Sequence, residues 1–338
     1  MKAMVLHRLC DLHLEPYPLR LQEVPEPIPG PNQIRIRVEA CGVCHTELDE
    51  IEGRTPPPRL PVIPGHEVVG RVESRGSRAR RFHEGDRVGV GWIHHSSGAA
   101  HENLDPAFSA TGRDVDGGYA ELMTVDERYA QPVPASFSSA KAAPLLCAGA
   151  VGYRALSLCG LRDGQALGLT GFGGSAHLVL QLARCLYPNS PICVFAREAM
   201  VREFALELGA AWAGAIRERA PFALDAIIDT TPAWLPVVEA MANLKPGGRL
   251  VINAIRKEDR DKQALLDLDY GRHLWLEKEI KSVANVTAGD IARFLPLAEQ
   301  AGIDPQVQCF PLEQANEALG LLKRGGVRGA YVLVPPVG

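Results

Sequence analysis

The chain has 338 residues, 46% of them hydrophobic, and a formal net charge of −4, which supports a sizeable core in one large or two ordinary domains and excludes a disordered chain. Its 36 basic and 40 acidic residues are interspersed, so neither nucleic acid nor an anionic membrane is expected as a partner. No apolar run approaches the roughly 20 residues needed to span a bilayer, and the N-terminal MKAMVLHRLCDLHLE lacks a secretory apolar core, so a soluble, cytoplasmic protein is expected.

In chain order, residues 1 to about 135 read as short strands and turns. QIRIRVEA (33–40) alternates as a half-buried strand does. The segment ACGVCHTELDE (40–50) reads as turn-rich, and the proline-rich TPPPRLPVIPG (55–65) as an extended loop. HEVVGRVES and EGDRVGVGW are further strands set apart by Gly and Pro. From about 140 to 285 strands and helices alternate. QALGLTGFG, PICVFA, LDAIIDTT, GGRLVINAI and EIKSVAN are the strands; SAHLVLQLARCLY, AMVREFALELGA and AWLPVVEAMANL are the helices. Apolar strands alternating with amphipathic helices point to a parallel sheet covered on both faces. Residues 287–338 add two helices and a closing strand, AYVLVP. The clusters RGSRARR (75–81) and RKEDRDK (256–262) read as solvated surface.

The turn LTGFGGSAH (169–177) joins a strand to a helix in the pattern Gly171-x-Gly173-Gly174-x-Ala176. Such a pattern gives a tight turn, bare backbone for a pyrophosphate, and a small residue where helix meets strand; the anion sits at the helix N-terminus. At the head of a βαβαβ series it points to a dinucleotide site. The next strand ends in VFARE, with no acid at the place where NAD sites hold one. Arg197 stands there instead and suits a 2′-phosphate, which favours NADP(H) over NAD(H), while Glu198 could partly replace the missing acid.

The eight cysteines (Cys10, Cys41, Cys44, Cys147, Cys159, Cys185, Cys193 and Cys309) are scattered, as free thiols or metal ligands are in a reducing compartment. A catalytic zinc takes three protein ligands and keeps a fourth position open. The candidates are a cysteine of 41 or 44, His66, and a further cysteine; Cys147 lies just before the nucleotide-binding stretch.

The motifs GVCHTEL, PGHEVVGRV, GDRVGVGW, ENL, DGGYAE, PLLCAGAVGYRAL and GFGGSAH together resemble the zinc-dependent alcohol dehydrogenases of the medium-chain dehydrogenase/reductase family, over essentially the whole chain. The resemblance implies an α/β protein. A GroES-like β-rich catalytic domain would comprise residues 1–148 and 286–338, and a Rossmann NAD(P)-binding domain, a doubly wound parallel sheet, residues 149–285. A cleft between them would hold zinc and nicotinamide. It implies Cys44, His66 and Cys147 as ligands of one catalytic zinc, a Cys₂His set known from alcohol dehydrogenases. It further implies Glu67 as the acid behind the metal, Glu47 as the carboxylate that orients the histidine, His45 on the coenzyme pyrophosphate, and Thr46 as the hydroxyl that hands on the substrate proton. Cys41 falls on a non-ligand position. Trp92 and Ile93 would face the substrate. A homodimer or homotetramer is implied, with Rossmann sheets joined edge to edge near 250–285.

Two features depart from the family pattern. In GWIHHSSGAAHENLDPAF (91–108), Ser97 and Asp105 stand at the two ends of a loop where members with a structural zinc carry four cysteines, so no structural zinc is expected. His94, His95 and His101 remain there as polar surface residues. Asp49 replaces the histidine that often ends the proton relay and is a weaker base for it. The expected activity is hydride transfer between NAD(P)(H) and a primary alcohol/aldehyde or secondary alcohol/ketone pair. The alternatives are a reductase of the same fold acting on an imine or an activated C=C bond, and a non-catalytic nucleotide-binding protein.

Overall fold

The computed structural model describes residues 1–325 and 329–336. They form two compact units: Met1–Ala150 with Val286–Glu299 and the chain from Asp304, and Val151–Asn285 with Gln300–Ile303.

The first unit opens with an antiparallel pair, β1 (Lys2–Leu6) and β2 (Leu19–Glu23). The long strand β3 (Gln33–Val43) follows, and its alternation buries Ile34, Ile36 and Val38 on one face. It runs straight into helix α1 (His45–Ile51). The turn-rich reading of 40–50 is thus corrected: strand covers it through Val43 and helix from His45. The helix was hidden because its buried face is polar. Thr46, Glu47, Asp49 and Glu50 are all buried, so no apolar 3.6-residue period appears. Next come β4 (Val68–Arg75), β5 (Arg87–Val90), β6 (Ile93–His95), β7 (Ser109–Ala110), β8 (Leu122–Asp126) and β9 (Ala130–Pro132). Two helices that the sequence reading left out, α2 (Ser139–Ala142) and α3 (Ala148–Cys159), flank Cys147.

The second unit carries β10 (Leu167–Thr170), α4 (Ala176–Leu186), β11 (Ile192–Phe195), α5 (Ala199–Glu207), β12 (Trp212–Gly214), β13 (Leu224–Asp229), α6 (Leu235–Met241), β14 (Leu244–Ile252) and β15 (Glu279–Ser282). All its strand pairs are parallel, in the order β12-β11-β10-β13-β14-β15. This is the doubly wound order, with its reversal between β10 and β13. The short strand β12 was not legible beforehand. Ile227 and Leu250 in the centre have no exposed surface, and truncating either to Ala would cost about 2–5 kcal/mol.

The chain then returns to the first unit through α7 (Ala288–Gln300), β16 (Val307–Pro311), α8 (Ala315–Arg324) and β17 (Ala330–Val334). Strand β16 is a further addition to the sequence reading. Among the described residues the first unit's large sheet runs β16-β17-β3-β4-β5-β9, with β8 also paired to β3. No single helix among them is long and apolar enough to cross a membrane.

The run 256–262 is not simply solvated surface, as was expected. The Lys257 side chain is only 9% exposed and pairs with the fully buried Asp229. The Asp261 carboxylate accepts from the Trp234 and Leu235 N–H groups, both at 2.9 Å. Arg75, Arg78, Arg80 and Arg81 do face solvent, though Arg81 also donates to the Glu127 and Arg128 carbonyls.

Candidate metal centre and coenzyme turn

Ligand-type atoms of Cys44, His66, Glu67 and Cys147 all lie within 4.8 Å of one another. Three separate segments supply them. Cys44 is the N-cap of α1, at the end of β3. His66 and Glu67 lead into β4, and Cys147 sits between the helical turns 143–146 and α3. His66 and Glu67 are buried, whereas both cysteines are partly exposed.

Glu47 connects this junction to the histidine. Its Oε2 accepts from the Cys44 N–H at 2.8 Å, the reach of an N3 glutamate back to its N-cap. Its Oε1 lies 2.5 Å from His66 Nδ1. With Nδ1 so engaged, Nε2 is the ring nitrogen free to bind a metal. Two thiols, an imidazole and a carboxylate make a donor set that fits zinc. The Cys147 thiol, hydrogen-bonded to Cys44, holds Cys44 well below the ordinary thiol range, and the same contact, with burial, pushes Cys147 up. Burial, then the Cys44 charge, raises Glu67 well above the usual carboxylate range. The Glu67 carboxyl fills the space beside Gly42, where an added Cβ would come within 1.8 Å of its Oε2.

Thr46 is buried, with Oγ1 3.6 Å from Cys44 Sγ. His45 is the exposed first residue of α1. Asp49 is fully buried, and Arg54 Nε lies 2.7 Å from its Oδ1. Cys41 is buried in β3, and burial pushes its thiol well up, as befits an inert residue. Trp92 is half-buried, 6.3 Å from the His66 ring, 5.6 Å from Phe108 and 5.3 Å below the Arg113 guanidinium. Ile93 has no exposed surface, so its assignment to the substrate pocket is corrected: it belongs to the core.

The sequence reading overlooked Glu50 and Arg54. Glu50 is 1% exposed; its Oε1 accepts from the Trp92 indole at 3.4 Å, and its Oε2 is buried without a partner among the described residues. Burial, then Glu47, drives its carboxyl well above the usual range. The available signal was the three-residue spacing of Glu47 and Glu50, which shares one helix face.

In the loop 94–108 the side chains of His94, His95, His101 and Asp105 do not converge into a ligand group among the described residues. Glu102 organises the loop instead. It is 4% exposed and accepts from Gly98 N at 3.1 Å and from Ala288 N, at the start of α7, at 2.8 Å. Ser96 donates its N–H to the Tyr129 hydroxyl at 2.9 Å and its own hydroxyl to the Glu102 carbonyl at 2.7 Å.

In the second unit, Gly171 has φ +75°, and a Cβ there would lie 2.8 Å from Thr230 Oγ1. Only glycine fits both demands. A Cβ on Gly173 would meet nothing within 4 Å, so that side of the turn is open. Gly174 completes the turn, ahead of Ser175 at the start of α4. Arg197 follows β11 with its side chain 81% exposed, 3.1 Å from Glu198.

Residues 30–135 match the family described as the alcohol dehydrogenase GroES-like domain. A probable alcohol dehydrogenase AdhA of Mycobacterium tuberculosis is 43% identical over 319 residues, covering 91% of this chain and 90% of the relative. A probable cinnamyl alcohol dehydrogenase 8A of Oryza sativa subsp. japonica is 33% identical, covering 95% and 91%. Among solved structures, a cinnamyl alcohol dehydrogenase of Sorghum bicolor superposes with a TM-score of 0.82 at 26% identity, covering 98% and 97%.

Proposed function

The chain belongs to the zinc-dependent alcohol dehydrogenases of the medium-chain dehydrogenase/reductase family, and we propose that it interconverts an alcohol and its carbonyl compound at Cys44, His66 and Cys147. The convergence of those three donors, with Glu47 already clamping His66, is the observation that carries the reading. Zinc held there supplies Lewis acidity towards the substrate oxygen, and the nicotinamide coenzyme takes or gives the hydride.

The chain's own residues do the rest. Cys44, His66 and Cys147 hold the metal, with Glu67 beside it, and Glu47 fixes the imidazole plane. In the oxidation direction Thr46 Oγ1, buried beside Cys44, would accept the alcohol's O–H proton and pass a proton on. Asp49 is the residue three positions on from Thr46 that could receive the proton. Arg54 opposes this, because protonating Asp49 would cost their ion pair. Carbonyl reduction, which draws a proton inward, suffers least from that arrangement. The Trp92 indole, tilted against Phe108, favours flat or apolar substrates: a primary alcohol/aldehyde pair, or a secondary alcohol/ketone pair.

Gly171, Gly173 and Gly174, leading into the N-terminal end of α4, are the seat for the coenzyme pyrophosphate. NADP(H) is favoured over NAD(H) by the exposed Arg197 guanidinium and by the lack of an acid at position 196. One zinc per chain is proposed, with the Glu102 network doing the work of a second metal in the loop 94–108. A homodimer or homotetramer is proposed through β15, an edge strand whose four residues, Ile280 among them, are all exposed and which follows exposed Trp275 and Leu276.

Elemental analysis of the purified protein, paired with turnover of alcohols and aldehydes with both coenzymes, tests the reading. About one zinc per chain, lost together with turnover in Cys44→Ser, is expected. Full activity in a zinc-free protein would overturn it.

A further inference from the structure

Within its charged run, Lys257 turns its ammonium inward onto a buried carboxylate. Its ammonium has three N–H bonds and gives them to the Asp229 carboxylate, to Thr231 O at 2.7 Å and to Ala233 O at 2.9 Å. It also lies 5.8 Å from the Trp234 ring. Asp229 is fully buried at the end of β13; its Oδ1 accepts from Thr170 Oγ1 at 2.6 Å and from Thr231 Oγ1 at 2.8 Å. Around this pair the strap 253–261 is bound to the loop 229–235. Asn253 N donates to Asp229 O and Glu258 N to Pro232 O, both at 2.7 Å. Asn253 Nδ2 reaches Ser175 Oγ, at the start of α4, at 3.0 Å.

The position of this clasp gives it meaning. Thr170, Asp229 and Asn253 sit at or just beyond the carboxyl ends of β10, β13 and β14, where the strand order reverses. In a doubly wound sheet a dinucleotide lies across that edge, its pyrophosphate at the first glycine turn and its two halves over the two halves of the sheet. The Arg197 end of β11 belongs to the adenosine half. The strap and the loop it holds lie on the other side of the reversal, over β13 and β14. A buried ion pair is costly to desolvate and weak evidence for stability by itself, so its retention here calls for a role.

We propose that Lys257, through its clasp on Asp229, is a positioning residue for the nicotinamide half of the coenzyme. It touches no reacting atom; it fixes the strap and the 229–235 loop as one floor. This rests on the coenzyme reading above.

The test is calorimetric titration of NADH, NADPH, ADP-ribose and 2′-phospho-ADP-ribose into the whole protein, the last two lacking nicotinamide. Lys257→Met leaves the buried Asp229 unpaired, so the double variant Lys257→Met/Asp229→Asn, which removes both charges, is measured beside it. In both variants NADH and NADPH are expected to weaken equally, by roughly tenfold. The two fragments are expected to bind as they do to the unsubstituted protein. Unchanged NADH and NADPH binding in the double variant would overturn the proposal. So would a parallel loss of the fragments, because the clasp would then hold up the whole unit. An unsubstituted protein that binds none of the four would instead remove the coenzyme reading itself.

Discussion

Glu47 bridges the Cys44 N–H and the His66 imidazole with its two oxygens, so one carboxylate sets both the cap of α1 and the ring on which a metal would bind. Glu47→Ala is expected to weaken zinc retention by about 10–100-fold, the usual scale for losing the partner of a ligating histidine. Zinc content after equilibration in a series of chelator-buffered zinc concentrations measures it. Unchanged retention would mean that the Cys44 and Cys147 thiolates alone fix the site.

Glu50 is a carboxyl buried against Trp92 whose pKa is raised by burial first and by Glu47 second. An acid with a raised folded-state pKa contributes stability that is fully present below its unfolded pKa and is lost as pH rises through the folded value. Glu50→Gln removes that dependence. The melting temperatures of variant and parent are therefore expected to converge at acid pH. The variant should gain up to about 1.4 kcal/mol per pH unit above the ordinary glutamate pKa, until the buried carboxyl ionises. Parallel melting curves across the pH series would show that Glu50 carries no such penalty.

Asp49 and Arg54 occupy the end of the expected relay as an ion pair. Asp49→His puts a base of near-neutral pKa in that place. Alcohol oxidation at neutral pH is expected to rise by roughly tenfold, while carbonyl reduction changes much less. Initial rates in both directions decide it; an equal change in both would show that proton removal does not limit oxidation.

For coenzyme choice, Arg197→Ala is expected to weaken NADPH by roughly tenfold or more and NADH hardly at all, because only the former carries the 2′-phosphate. The exposed partner Glu198 offers little competition. Fluorescence titration of both reduced coenzymes gives the ratio directly, and equal losses would place the adenosine ribose elsewhere.

The edge strand β15 leads to the last prediction. Ile280→Lys puts a charge at the centre of its four residues and should shift the chain towards a single copy in light scattering. A mass that does not move, or an unsubstituted chain that is already single, removes the edge-to-edge assembly.

The second unit was legible because buried parallel strands read as short apolar runs, and those from Leu167 to Ile252 are separated by helices of clear periodicity. The glycine turn stood out for the same local reason. The failures were failures of locality. Helix α1 buries four polar residues for a site and not for a core, so periodicity had nothing to register. Lys257 lay in a run of alternating charge, and the Asp229 that draws it inward is 28 residues away. The resemblance to a family could supply ligand positions, but not Glu50 or Arg54, which occupy positions that its motifs do not specify. Ile93 failed the opposite way: the motif placed it beside Trp92, but strand β6 turns it into the core.

The loop from 91 to 108 contains no cysteine, and its shape rests on Glu102, Ser96 and Tyr129. Carboxylate and hydroxyl groups neither oxidise to disulfides nor compete for scarce metal. Residues 91–108 therefore offer no thiolate through which an oxidant or a shortage of zinc could act on the loop. On the proposed metal site, a shortage of zinc would act at Cys44 and Cys147 and silence the chemistry while leaving this loop standing.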